Sequence, residues 1–248
     1  MSQVEYGPLA AYYELCNESF VDYDGQASLV RDAWARFGGT RCPRVLDVAC
    51  GAGLLSKRLL ALGLDVVGID LAAALVAQAA ARPGARVVQA DMRRLPFDRA
   101  FHVAACLLHT MNYMTEDADL HAAFAAIHHA LKSGGLAIVD FLAYEPRREW
   151  NAQWSQTVVG HDVRIVCEHH QTADWRAMVA TDQHTYTVHE RDRVWSASAI
   201  DRLRITSPTE MGTFAEEAGL EVLTIAGKYA LDQGLGWDGG VLIARRRA

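Results

Sequence analysis

The 248-residue chain has no run of 18 apolar residues and no basic-then-apolar stretch at its N-terminus. Neither a membrane-spanning helix nor a secretory leader is therefore expected, and the reading is a cytoplasmic protein with no membrane partner. Cysteine is scarce and odd in number. Cys16, Cys42, Cys50, Cys106 and Cys167 form no Cys-x-x-Cys pair, so they read as reduced thiols that pack the interior, with Cys50 and Cys106 also placed at a ligand cleft. Basic clusters are missing apart from Arg245-Arg246-Arg247, and the net charge is -6. No stripe of cations follows a phosphate backbone, so nucleic acid is not an expected partner. Repeats and low-complexity segments are absent. What is present is a 51% hydrophobic chain, enough for one large α/β core.

Apolar runs alternate with helical stretches. The runs Val45–Cys50, Val66–Ile69, Val87–Ala90, Phe101–Leu107 and Leu136–Phe141 read as buried strands, and Asp117–Leu131 as a helix whose Leu120, Phe124, Ile127 and Leu131 form one stripe. Lys132-Ser133-Gly134-Gly135 supplies a glycine for a left-handed helix end. Short strand–helix alternation predicts a parallel sheet with right-handed crossovers. After Tyr144 the pattern changes to long Thr-, Val- and Ile-rich segments, Val158–Gln171, Met178–Glu190 and Val194–Thr206. They alternate polar with apolar and predict three antiparallel strands forming a lid. Ser207, Pro208 and Glu210 then carry the signature of a helix start, with a helix to about Gly219. Leu220–Ala226 and Gly240–Ala244 complete the sheet. The domain reading is an N-terminal helical cap over 1–40, a main domain of 41–150 and 207–248, and a lid insertion over 151–206.

One segment carries the chemistry. Val45-Leu46-Asp47-Val48-Ala49-Cys50-Gly51-Ala52-Gly53 is a strand with an acid inside it, broken by Gly-x-Gly, and Leu54–Leu62 follows as helix. Bare backbone at a helix N-terminus admits a ligand. Asp70 and Asp91 end the next two strands. Each acid alone reads as a cap or turn former; three on successive strand ends fit S-adenosylmethionine better than a dinucleotide. The dinucleotide fingerprint also needs a third glycine where Ser56 stands.

Asp47–Gly53, Gly68-Ile69-Asp70, Ala90-Asp91-Met92-Arg93 and Leu131–Gly135, in that order and spacing, resemble the class I S-adenosylmethionine-dependent methyltransferases over nearly the whole chain. The resemblance implies an α/β fold: a Rossmann-like, seven-stranded, mostly parallel sheet with helices on both faces and the antiparallel lid after strand five. It implies S-adenosylmethionine as cofactor. Asp47 would fix the methionine amino group, usually through water, and Gly51 and Gly53 would give close approach. Asp70 would accept both ribose hydroxyls. Asp91 would take the adenine amine, Met92 would offer its main-chain N–H, and Leu71 would flank the ring. Ala49, Leu107 and Tyr13 complete the implied cofactor set. Leu107–Met114 is similar to a Ser-x-x-Asn-Tyr-Leu pattern of small-molecule methyltransferases, with His109 in place of serine. Together with Tyr13-Glu14 and the lid, this resembles amino-sugar N-methyltransferases and also the azapteridine N-methyltransferases of toxoflavin assembly.

The expected reaction is an in-line displacement at a sulfonium methyl, in which alignment and exclusion of water do most of the work. A small-molecule nitrogen is the expected acceptor. The alternatives are an oxygen acceptor, with His109 as base, and a cofactor-binding regulator without turnover. His109 and Tyr113 are the catalytic candidates, and His109 also reads as a wall residue. Tyr6, Asn112, Trp150, Tyr229 and Trp237 are the substrate candidates, the aromatics (with Tyr12 and Tyr113) as stacking surfaces or core. No metal is expected: Asp140 reads as a satisfied acid in the sheet. His128-His129 and His169-His170 lack the i, i+4 spacing of a helical zinc site, so they read as surface or lid residues. A monomer and a homodimer fit equally.

Overall fold

The computed structural model describes residues 7–143, 151–227, 231 and 239–247. Strand β1 (Arg44–Val48) is buried at every position but the first. It lies between β2 (Asp65–Asp70) and β4 (Phe101–Cys106), parallel to both, as a continuous apolar run demands. The full sheet runs β10-β11-β5-β4-β1-β2-β3, where β3 is Val87–Gln89, β5 Leu131–Phe141, β10 Leu220–Gly227 and β11 Gly240–Arg246. Among the described strands of this sheet, β11 runs opposite in direction to the other six. Two apolar layers flank the sheet. One carries Leu120, Phe124 and Ile127 of α5 (Asp117–Ala130) with Met211 and Phe214 of α6 (Pro208–Glu217). The other carries Tyr23, Ala27 and Val30 of α2 (Tyr23–Ala33) with Leu54 and Leu59 of α3 (Leu54–Ala61). The predicted α5 stripe is fully buried at Leu120, Phe124 and Ile127, each contributing about 1.5–3 kcal/mol of burial.

Local signals locate the helix ends unevenly. Ser207 caps α6, its hydroxyl accepting the Glu210 N–H at 3.1 Å. The Glu210 carboxylate does not turn back; it takes the Thr206 hydroxyl and Arg204 instead. The predicted glycine end of α5 is corrected. Leu131 already has extended backbone and the chain enters β5 directly, while Gly134, with φ +74, shapes an irregularity inside that strand.

The predicted three-stranded lid is also corrected. The second sheet has four strands, β6 (Ala152–Val159), β7 (Val163–Asp174), β8 (Val179–Glu190) and β9 (Arg193–Arg204), paired antiparallel in sequence order. The run read as one strand from Val158 turns at 160–162. Its predicted alternation holds: Ile165, Cys167, Ala180, Asp182 and Val188 are buried, with odd positions of β7 facing even positions of β8. The N-terminal stretch is a 3₁₀ turn (Gly7–Tyr12), α1 (Tyr13–Glu18), α2 and a π turn (Trp34–Gly38). No helix among the described residues is long and apolar enough to cross a membrane.

Candidate functional site

Parallel register brings the chemistry to one rim. Asp47 lies opposite Gly68, Val48 opposite Ile69 and Asp70 opposite Gln89, so the carboxyl ends of β1, β2 and β3 align, where open α/β sheets bind ligands. A cavity of about 790 Å³ opens there, within the range of small-molecule sites. One wall is Ala49, Asp70, Leu71, Asp91 and Met92; Tyr13 borders it; Leu108, Thr110 and Tyr113 follow; Ile200, Asp201 and Arg202 of β9 close the far side. A smaller cleft of about 130 Å³ behind Gly53 and Ser56 is too small for a nucleoside.

The glycine turn stands behind this wall: neither Gly51 nor Gly53 lines the larger cavity, and Gly53 lines the smaller cleft. Gly51 (φ +54) and Gly53 (φ +77) are left-handed, a conformation glycine adopts without penalty. A Cβ on Gly51 would stand 2.7 Å from the Tyr13 hydroxyl, so a side chain there would push away the residue that borders the cavity. Arg82 fixes this arrangement. It donates to the Ala52 carbonyl at 2.7 Å and to Glu14 at 2.8 Å, tying α1 to the turn.

The three acids differ. Asp70 accepts the Gly51 N–H through Oδ2 and the Ala72 N–H through Oδ1, both at 2.8 Å. It shapes the turn and presents a carboxylate to the cavity at once. Burial raises its pKa and these N–H donors oppose the rise. Asp91 caps the 3₁₀ turn Met92–Arg94 and is clamped by Arg93, which reaches on to Asp119. The guanidinium holds the Asp91 carboxyl below its usual range. Asp47 is 3% exposed, lies outside the cavity lining, and accepts the Ser56 hydroxyl at 2.6 Å. It braces α3 against β1 from behind the turn.

Burial pushes the Asp47 carboxyl up to about 7 from 3.8, against the Ser56 hydrogen bond. A folded pKa above the unfolded one means the native state holds the proton more tightly between those values. The associated stability is complete below the unfolded pKa and is lost as pH rises through about 7. Asp47→Asn is therefore expected to match the parent in melting temperature near pH 4. Near pH 8 it should exceed the parent by several degrees, the loss it avoids being at most about 4 kcal/mol at about 1.36 kcal/mol per pKa unit. Thermal melts across that range check it; parallel curves for the two proteins would remove the buried charge from the account.

The remaining candidates divide. Leu108 (φ +65) and His109 (φ +56) are consecutive left-handed residues. Their N–H groups converge on the two oxygens of Asp140, at 2.9 and 2.7 Å, an anion nest that offsets the cost of about 1–2 kcal/mol per residue of such backbone. Asp140 is thus a satisfied acid, as its sequence suggests. His109 and Leu107 are outside the cavity lining, whereas Tyr113 is part of it. Asn112 is not a cavity residue. It is 2% exposed, with its amide bonded to Leu142 and to the Arg204 carbonyl. Cys106 is fully buried in the core and Cys50 packs on Gly68, so neither lines the cavity. Tyr12 donates to Glu190 of β8 at 3.0 Å and joins the N-terminal 3₁₀ turn to the lid, leaving Tyr13 at the cavity. Tyr6, Trp150, Tyr229 and Trp237 lie outside the described residues. Sequence reasoning missed Arg82, Arg93, Thr110 and Asp201. Arg93 and Thr110 stand inside quoted motifs, and Arg93 was findable as the partner of Asp91; Arg82 and Asp201 carry no local signal.

Comparison with known proteins agrees with this geometry. Residues 45–135 match the family model described as "Methyltransferase domain". The chain is 29% identical over 120 residues to the dTDP-3-amino-3,4,6-trideoxy-alpha-D-glucopyranose N,N-dimethyltransferase of Streptomyces venezuelae, covering 48% of this chain and 50% of that protein. It thus spans about half the length of that curated relative. Two solved structures share the fold over almost the full length. DesVI of Streptomyces venezuelae has a TM-score of 0.83 at 21% identity, covering 97% of this chain and 98% of that one. The sugar N-methyltransferase KedS8 from Streptoalloteichus sp. has a TM-score of 0.82 at 23% identity, covering 95% and 93%. The strand–glycine–helix unit and the acids at the sheet rim thus lie within or beside a region that matches a methyltransferase domain, and the chain as a whole shares the fold of solved methyltransferases.

Proposed function

We propose that the protein transfers the methyl group of S-adenosylmethionine to an amine nitrogen of a small molecule, an amino sugar or an N-heterocycle such as an azapteridine. The observation that carries this reading is the single cavity joining the Asp70–Asp91 rim to Asp201 of β9. Asp70 takes the ribose hydroxyls, Leu71 and Met92 flank the adenine, Asp91 accepts its amine, and Tyr13 covers the methionine end beside Gly51. Bound there, the cofactor supplies an electrophilic methyl carbon on a positively charged sulfur.

The chain's own groups favour nitrogen over oxygen. An alcohol needs a base before it attacks; no histidine stands among the described lining residues, and the carboxylates there, Asp201 among them, are weaker bases than an imidazole. A neutral amine attacks with its lone pair, the carbon–sulfur bond breaks toward sulfur, and the product ammonium releases its proton to solvent afterwards. Positive charge thereby moves across the cavity. Asp201 places a carboxylate on the acceptor side, where it favours that movement. Tyr113 and Thr110 line the junction between the two halves and exclude water.

The test is formation of S-adenosylhomocysteine with a panel of amino sugars, azapteridines and phenols. Turnover with amines is expected. Asp201→Asn should lower their kcat/KM by about tenfold, one charge interaction of about 1.4 kcal/mol, with cofactor affinity unchanged. His109→Ala should retain the pH profile. Turnover with phenols only, through a basic limb that His109→Ala abolishes, would make the protein an O-methyltransferase.

A further inference from the structure

On the lid, β7 and β8 pair so that His169 faces His184 directly, with Cys167 two residues along β7 on the same face. The Sγ of Cys167 and one ring nitrogen of each histidine lie within 4.8 Å of one another. Cys167 Sγ is 3.2 Å from His169 Nε2. The other nitrogen of that ring, Nδ1, is 3.2 Å from Asp182 Oδ2. A carboxylate behind one imidazole nitrogen, with the other turned to a thiolate and a second imidazole, is how proteins orient histidine for a metal. His184 gives an independent sign. Both its ring nitrogens are shielded from solvent and neither has an aligned hydrogen-bond partner, although Asp201 Oδ2 lies 3.1 Å from Nε2. Nε2 rests on the ion pairs with Asp201 and Asp182, and a metal–nitrogen bond would give the ring the aligned partner it lacks. Trp154 stacks on His169 at 4.5 Å and covers the cluster.

We infer that Cys167, His169 and His184 form a binding site for a divalent cation of the zinc class on the inner face of the lid. One thiolate and two imidazoles are the borderline-soft set that zinc prefers over magnesium or calcium. Three protein ligands leave a fourth position, and the Asp201 carboxylate beside His184 stands next to it. Because Asp201 also lines the cavity, the cation would sit beside the acceptor end and pin β7 and β8 there, its charge offset by the Cys167 thiolate and by the Asp182 carboxylate behind His169, which leaves Asp201 its own charge. The inference concerns cation binding and stands whether or not the acceptor is an amine.

The experiment uses the full chain made without a histidine tag, stripped with a chelator and dialysed against zinc. About one zinc per chain is expected, and cobalt substitution should give a thiolate-to-metal charge-transfer band. Cys167→Ser should abolish that band, and Asp182→Asn should weaken zinc binding by about 10–100-fold. Zinc should also protect Cys167 of the unmutated chain from alkylation while the exposed Cys42 reacts at the same rate, which tests the site even where a variant fails to fold. Zinc well below one equivalent, or alkylation of Cys167 unchanged by zinc, would overturn the inference in favour of a thiol–imidazole hydrogen-bond cluster.

Discussion

Asp70→Ala is expected to remove measurable binding of S-adenosylmethionine and of its demethylated product, a loss of at least about 100-fold in Kd. Two effects add. In its proposed role the carboxylate makes two charge-assisted hydrogen bonds to the ribose, each worth about 1.5–3 kcal/mol, which together correspond to about 10²–10⁴-fold in affinity. The same two oxygens hold the Gly51 and Ala72 N–H groups, so the alanine variant also releases the turn that stands behind the cavity wall. The second effect has its own readout. Two partly buried N–H groups lose their partners at about 1–3 kcal/mol each before water compensates, so the ligand-free protein should melt several degrees lower. Asp70→Asn separates the two. Its carbonyl keeps one N–H, its amide meets the other donor head-on, and binding should fall nearly as far with a smaller stability loss. Titration calorimetry with both ligands decides it. An alanine variant within threefold of the parent would leave the aligned carboxylates as caps and nothing more.

The parts of this site legible in the sequence are those built from neighbours along the chain. Asp47 through Gly53 announces itself because strand, turn and helix start occupy nine consecutive residues, and each step has a local cause. Asp70 and Asp91 follow at strand ends, and parallel pairing without register slips carries their order into space. Ser207 and Glu210 locate a helix start for the same reason. Illegible were the features made by pairing distant segments. Asn112 reads as a cavity residue from its motif, but its partners are 30 and 92 residues away, and no spacing encodes that. His169-His170 reads as no metal site because adjacent strand residues point to opposite faces. That argument is correct for the pair and blind to His184, which only the β7–β8 register places opposite His169. The first strand of the second sheet was missed because Ala152–Val159 is largely exposed and its alternation carries too little apolar content.

Asn112→Ala is expected to be among the most destabilising single changes outside the apolar core, although Asn112 does not itself line the cavity. The amide Nδ2 donates to the Leu142 carbonyl at 3.0 Å and the Arg204 carbonyl at 2.7 Å, and Oδ1 accepts the Leu142 N–H at 2.9 Å. One side chain thus joins the Thr110–Tyr113 turn to the chain leaving β5 and to the last residue of β9. Alanine strands three main-chain groups, the two of Leu142 buried and the Arg204 carbonyl part-buried. At about 1–3 kcal/mol each, and less than additively, the loss is about 3–5 kcal/mol, or a melting temperature lower by about 10 °C. Asn112→Asp should be no better: its carboxylate still accepts from Leu142 but faces two carbonyl oxygens with no proton to offer. Cofactor affinity measured well below the melting transition should stay within threefold, because Asp70, Asp91 and the glycine turn are untouched. The acceptor KM should rise, because Ile200, Asp201 and Arg202 immediately precede the strand end that Asn112 anchors. A variant that melts within two degrees of the parent would mean that the two sheets are joined elsewhere. One that loses cofactor affinity and acceptor affinity alike would mean that Asn112 supports the whole cavity and not its acceptor end.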